Sequence, residues 1–204
     1  MYIPDIYKNE NQEEIKNFIH DNGFAILVNQ TNGKLWATHI PLLLEEDNDG
    51  KSILVGHISR ENPQGESFKT NTNILAIFSG PHSYISSSWY DHENVPTWNY
   101  TAVHVYGNIK ILNLEESINS LKNLVDKYEI NSKNPVRVED MSKETMRQAI
   151  GIIAFEIEII SIDAVKKMSQ NRDTKNYENI ILELEKTGNV IDKQVAQEMK
   201  KCPR

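Results

Sequence analysis

Two short polar runs and one aromatic stretch hold the side chains of this 204-residue chain that could do chemistry. The first run is Gly56-His57-Ile58-Ser59-Arg60-Glu61-Asn62-Pro63-Gln64. Arg60 offers a planar fork that suits phosphate, and a turn entering a helix adds free N–H groups. Ser59, Arg60, Asn62 and Gln64 fall on that turn; the plainer reading is a helix cap by Ser59 beside a solvated Arg60. The second run, Lys167-Met168-Ser169-Gln170-Asn171-Arg172, lies between a strand and a helix and reads equally as a dense polar site or an ordinary linker. The aromatic stretch runs from Gly80 to Gly107 and carries Tyr84, Trp89, Tyr90, Trp98, Tyr100 and Tyr106 among Ser86, Ser87, Ser88, Thr97 and Asn99. Large π faces beside small polar groups suit a flat heteroaromatic ligand with hydrogen-bonding edges. A loop that packs its own aromatics accounts for the composition as well.

Other chemistries lack their signatures. There is no G-x-G-x-x-G, no Walker loop and no G-x-S-x-G elbow. Cys202 sits in the tail and makes a poor nucleophile. His39, His57, His82 and His104 lie on or beside expected strands, where core or ligand-contact roles are commoner than metal ligation.

The elements that would position these residues are mostly strands. Residues 11–21 read as a helix, with Ile15, Phe18 and Ile19 on one face and Gly23 at its end. Phe24–Asn29, Lys34–Leu44 and Lys51–Ile58 form a meander, joined by Thr31-Asn32-Gly33 and by Asp47-Asn48-Asp49-Gly50. Asn73–Ser79 and Tyr84–Ser88 read as two strands, and Thr101–Leu112 as a long one. Asn113 and Glu116 make a capping box for a helix lined by Leu114, Ile118, Leu121, Val125 and Tyr128. Ser142 caps a short helix, and Ile153–Ile162 alternates apolar residues with Glu156 and Glu158. Helices follow from Asp173 to Gly188 and over 191–201. About seven strands with peripheral helices imply a mainly β, α+β chain: an antiparallel barrel or sandwich.

The totals narrow the partners. The formal charge is 22 − 29 = −7, and no basic run appears, so direct nucleic-acid binding is not expected. A single cysteine and an N-terminus without a signal-peptide pattern point to the cytoplasm. The longest apolar runs fall far short of the ~20 residues a membrane helix needs.

The motifs also occur together in one order. Ala37-Thr38-His39-Ile40-Pro41-Leu42-Leu43-Leu44, Gly56-His57-Ile58-Ser59-Arg60, Asn62-Pro63-Gln64, Gly80-Pro81-His82-Ser83-Tyr84-Ile85-Ser86, Ser88-Trp89-Tyr90, Val95-Pro96-Thr97-Trp98-Asn99-Tyr100 and the run Lys167–Arg172 resemble the PaiB family of FMN-binding negative transcriptional regulators. The resemblance covers about residues 1–172, with 173–204 as a C-terminal helical extension. It implies an antiparallel split β-barrel of the pyridoxamine-phosphate-oxidase type, usually a homodimer with FMN in a groove between subunits. It further implies that Thr38, His39, Ile40 and Pro41 lay backbone against the flavin rim. Ser59, Arg60, Asn62 and Gln64 would sit near the phosphate, with His57 beside them. Trp89, Tyr90, Trp98 and Asn99 would come from the partner or the groove wall, and Ser169, Gln170, Asn171 and Arg172 would close the site. Two departures border this zone: Gly65 stands where relatives often have Trp, and the loop Asp91–Asn94 is short. The implied function is a regulator acting indirectly. The alternative is an FMN-dependent oxidoreductase, with His57, His82 and His104 as the candidate acid–base groups.

Overall fold

A computed structural model describes residues 1–70 and 72–202. Six antiparallel strands form a ring in the order β1-β2-β3-β6-β5-β4. They are β1 (Phe24–Thr31), β2 (Lys34–Glu46), β3 (Ser52–Ser59), β4 (Asn73–Ile85), β5 (Thr97–Ile111) and β6 (Ile152–Lys167). The helices are α1 (Gln12–Asp21), α2 (Leu114–Glu129), α3 (Lys143–Met146), α4 (Thr174–Lys186) and α5 (Val190–Lys201). Short 3-10 turns include Pro63–Ser67 and Arg147–Gly151.

Local chemistry sets most of these boundaries. Asn32 and Gly33 both take positive φ, 51° and 76°, as a tight two-residue hairpin requires. That turn fixes Thr31 opposite Lys34 and, through the ladder, Phe24 opposite Pro41. The Asn113–Glu116 capping box closes the start of α2. Gly188, at φ 76°, lets the chain leave α4.

Three expectations are corrected. Among the described residues there are six strands rather than about seven, because 73–79 and 84–88 do not form separate strands: Asn73–Ile85 is one strand running through Gly80-Pro81. Gly80 is needed there for close approach, since a Cβ would meet Thr101 Oγ1 at 2.3 Å. β5 begins at Thr97, and β6 extends to Lys167. Both extensions fall where polar residues hide the two-residue period that marks a strand. Finally, the helix expected over 191–201 begins at Val190, and it buries Val195, Ala196 and Met199 fully.

The chain divides into two compact units. One comprises Ile19–Phe78 and Val105–Ile162. Its core includes Leu27, Leu42, Leu54, Phe68, Phe78, Phe155 and Ile157, all fully buried, with Phe68 edge-on to Phe155. The other comprises Met1–Phe18, Ser79–His104 and Asp163–Arg204. Its core gathers Ile85, Tyr90, Met168 and Tyr177 with Ile180, Leu184, Val195, Ala196 and Met199 of α4 and α5.

Candidate functional site

In the first unit the site is built around a strand that is paired on one edge. The β1–β2 ladder runs from Phe24↔Pro41 to Thr31↔Lys34. The β2–β3 ladder runs only from Glu46↔Ser52 to Leu42↔Gly56. Leu42 N–H donates to Gly23 O at 2.8 Å, so strand alternation turns the peptide groups of 41, 39 and 37 away from β1, toward the β3 side. Pro41 has no N–H to offer there, and the ladder stops. Gly56 stands opposite the last pair, where a Cβ would lie 2.6 Å from Leu42 Cδ2. Beyond it β3 continues on β6, with His57↔Ala154 and Ser59↔Ile152. The barrel is therefore split between β2 and β3. Along the split, Leu35 is 81 % exposed and Trp36 38 %, while His39 is exposed and stacks on Phe24 at 6.2 Å.

The amides placed at this split hold it together. Asn62 Nδ2 donates to Thr38 Oγ1 at 2.9 Å, and Asn62 Oδ1 accepts from Gln64 N–H at 3.0 Å. Gln64 is fully buried, with Nε2 donating to Leu27 O at 3.1 Å. Ser59 Oγ accepts from Glu61 N–H at 3.3 Å. Arg60 anchors the segment before β6 through Nε to Ile150 O and Nη2 to Ile152 O, both 2.9 Å. A guanidinium carries five N–H donors, so three remain for another acceptor. Arg60 opens onto a cavity of about 600 Å³ shared with Asn62, Gly65, Lys69, Ile150 and Ile153. A Cβ at Gly65 would lie 2.7 Å from Ile153 Cδ1, the mobile end of a side chain. Ile40 is buried on the barrel side of β2, and Pro41 is half-buried.

His57 differs from these neighbours. Its Nδ1 is buried and meets no partner among the described residues, and burial lowers its pKa below the ordinary 6.5. The ring is neutral at pH 7 and able to donate or accept one hydrogen bond. A flavin needs a flat face, hydrogen-bonding groups along its rim and a cation for its phosphate. The one-sided edge of β2, the orphaned His57 nitrogen and the remaining Arg60 donors fit those needs. Asn62 and Gln64, whose amides already hold the turn, contribute as supports.

The second unit carries the aromatic set. Trp98, 53 % exposed, lies edge-on to Tyr84 at 5.9 Å and tilted to His82 at 6.2 Å. Trp89 is half-buried against the second core, and its carbonyl accepts from Asn179 Nδ2 at 2.7 Å. Tyr90 is buried under the Arg172 guanidinium, 5.1 Å from ring centroid to Cζ. The short loop after it is clamped to α4: Asp91 N–H donates to Asn176 Oδ1, Asn176 Nδ2 to Asp91 Oδ1 and Lys175 Nζ to Asp91 Oδ2. Those bonds, Lys175 first and then His92 and Asn176, hold the Asp91 carboxyl far below the usual carboxylate range.

Asn99 is fully buried and committed, accepting from Ser169 Oγ at 2.9 Å and donating to Met199 Sδ at 3.5 Å. Ser169 is a non-glycine residue at φ 59°, a strain of about 1 kcal/mol or more. Gln170 closes the same turn, with Oε1 accepting from Met168 N–H at 2.7 Å and Nε2 donating to Lys166 O at 2.6 Å. Asn171 is exposed, and Arg172 N–H donates to Ser169 O. Sequence reasoning passed over Lys69, which lines the same cavity as Arg60 and adjoins no motif that marks it.

Among the described residues no group of three or more His, Cys, Asp and Glu side chains could hold a metal, and no helix is long and apolar enough to cross a membrane. The fold has solved relatives. A FAD and haem binding protein of Mycobacterium smegmatis matches with a TM-score of 0.64 at 14% identity, over 90% of this chain and 80% of that one. A flavocytochrome of Azotobacter vinelandii matches with a TM-score of 0.65 at 15% identity, over 87% and 78%. In sequence, the protease synthase and sporulation protein PAI 2 of Bacillus subtilis is 42% identical over 200 residues, 98% of this chain and 96% of that protein. Residues 1–161 match the family model described as "Putative FMN-binding domain", and with that match and the PAI 2 likeness the chain belongs to this FMN-binding family.

Proposed function

We propose that this flavin-binding protein holds FMN along the open edge of β2 and works as a homodimer that regulates transcription negatively and indirectly. The observation that carries the reading is the stretch Lys34–Pro41, paired on one edge with its residues largely exposed. Such an edge is a liability unless a ligand or a second chain covers it. Peptide groups of Ala37 and His39 would meet the flavin rim, and Arg60 the phosphate. In the dimer, Trp89, Tyr90, Trp98, Asn171 and Arg172 complete the groove, as the family resemblance implies, while Asn99, Ser169 and Gln170 hold the turn behind it. FMN supplies the redox chemistry when bound. The regulatory half of the reading is supported by the likeness to PAI 2, whose name gives it a role in protease synthesis and sporulation. An indirect action is favoured because the net charge of −7 repels a phosphate backbone.

The test is an absorbance titration of the purified chain with FMN and with riboflavin. Saturable flavin bands, tighter for FMN, together with a dimer mass in solution, are the expected result. No binding of either flavin, or a monomer at all concentrations, overturns it. Tight, salt-sensitive binding to a promoter fragment would overturn the indirect action.

His57 favours a second reading, an FMN-dependent oxidoreductase. A buried neutral imidazole nitrogen without a partner can take or hold a proton for a substrate at the flavin edge. Bleaching of the bound flavin by a reduced nicotinamide nucleotide, slowed by His57→Gln, would support that reading over pure sensing.

A further inference from the structure

A further cavity, of about 740 Å³, lies wholly within the second unit. Its walls are the segment that leads into α1, the start of α1, the end of β6 and the end of α5. The leading segment is pinned to β6: Lys8 bridges to Val165, and Asn9 N–H donates to Ala164 O at 2.9 Å. Apart from Gln170, which holds the turn at its edge, none of the lining residues enters the flavin reading. The volume falls in the range of small-molecule sites, about 300–1,000 Å³.

The lining carries both signs of charge. Lys166, with its side chain 11% exposed, bonds Glu14 Oε1 at 2.5 Å and lies 3.2 Å from Glu198 Oε2. Lys201 bonds Glu198 Oε1 at 2.9 Å, and Lys8 bonds Glu10 Oε1 at 2.5 Å. Glu13 also lines the cavity, and its carboxylate has no ion pair among the described residues. Two amides complete the set. Asn11 Oδ1 accepts from Glu13 N–H and Glu14 N–H, both at 3.1 Å, so the first amides of α1 are already capped. Asn9 Oδ1 accepts from Asn11 N–H at 3.0 Å. The oxygens hold both side chains in place, and the Nδ2 groups meet no partner among the described residues.

An anion in this cavity would face the carboxylates of Glu13 and Glu14, and a cation would face three lysines. A ligand carrying both signs can set each charge against its opposite. Amide donors fixed by their own oxygens suit carbonyl acceptors, because little freedom is lost on binding. The space is also larger than a single amino acid fills. A short peptide has an ammonium end, a carboxylate end and carbonyls between them.

We propose that this cavity binds a zwitterionic di- or tripeptide, with its ammonium on Glu13, its carbonyls on Asn9 and Asn11 Nδ2 and its carboxylate on Lys8 and Lys201. The site lies apart from the edge of β2 and does not depend on FMN.

The probe is tri-alanine, added to the purified full chain at pH 7, where its α-amino group is mostly protonated. Cys202 is the one cysteine of the chain and lines the cavity, so its labelling reports occupancy. Tri-alanine raises the Tm and slows the reaction of Cys202 with N-ethylmaleimide, with one half-saturation point for both. Glu13→Gln weakens the peptide by about tenfold. N-acetyl-tri-alanine is weakened to the same degree on the wild type and loses nothing further on Glu13→Gln, because each change removes the same ion pair. A peptide that neither raises the Tm nor protects Cys202 overturns the proposal. So does an acetylated peptide that binds the wild type as well as the free one, or free alanine that binds as tightly as tri-alanine. Glu13 is exposed in the first turn of α1, and the acetylated peptide tests its contact without altering the protein. The titrations are run with and without FMN. A chain that takes the peptide and no flavin would remove the FMN reading and leave this one standing.

Discussion

The turn after β3 and the turn after β6 carry almost the same polar alphabet and divide it in the same manner. In the first, Asn62 and Gln64 bond to Thr38, Leu27 and each other, while Arg60 keeps donors to offer. In the second, Ser169 and Gln170 bond to Asn99, Lys166 and Met168, while Lys167 reaches Thr97 and Arg172 lies over Tyr90. Amides and hydroxyls near a turn find backbone partners within reach, so they become its fasteners. Long cationic side chains reach past those partners, Arg60 onto the cavity and Lys167 to Thr97. The lesson is that a motif dense in polar residues mixes supports with contacts, and that the cations are the place to look for binding.

The comparison breaks or sharpens under substitution. Gln64→Ala is the largest expected effect: it removes a fully buried side chain and its bond to Leu27, at a cost of about 2–4 kcal/mol read as a fall in Tm. If the chain keeps its Tm and loses FMN instead, Gln64 is a contact and the division fails. Arg60→Lys is next. It weakens FMN by roughly tenfold with little change for riboflavin, because only FMN carries a phosphate for the fork. Equal losses for both flavins would move Arg60 to the supports.

Ser169 gives a finer probe in the second turn. Ser169→Ala loses the bond to Asn99 and keeps the left-handed strain, about 1 kcal/mol in Tm terms. Ser169→Gly loses the same bond and relieves the strain, so it costs less. The reverse order would show that the turn relaxes in solution.

The smallest effect is a pH slope. Because burial lowers the His57 pKa, the unfolded chain takes up a proton below pH 6.5 that the folded chain refuses. The stabilising preference is complete above that pH and is lost as pH falls. His57→Gln should flatten the Tm curve between pH 7 and 5, leaving the part due to His104, which burial also lowers. An unchanged slope would place the His57 ring in water.

Much of the fold could be read before any coordinates. Asn32-Gly33 announced its hairpin, Asn113–Glu116 its cap and Gly188 its stop, because each acts through backbone conformations available only to a few residue types. The unbroken strand through Gly80-Pro81 could not be read, since Gly and Pro usually end strands and here fit a ring of pairing. The site was legible as a set of residue types. Its split into fasteners and contacts was hidden, because Asn62 and Thr38 are 24 residues apart and Ser169 and Asn99 are 70 apart.

Sequence alone determined the local devices: the turns, the caps, the alternation of the strands and the supply of aromatic and cationic side chains. Tertiary structure decided which carboxylates reach which lysines, giving Glu14 and Glu198 to Lys166 and, among the described residues, none to Lys167. The reason is physical. A backbone preference acts within a few residues, whereas a charge is neutralised by whatever the packed chain brings within a few ångströms of it.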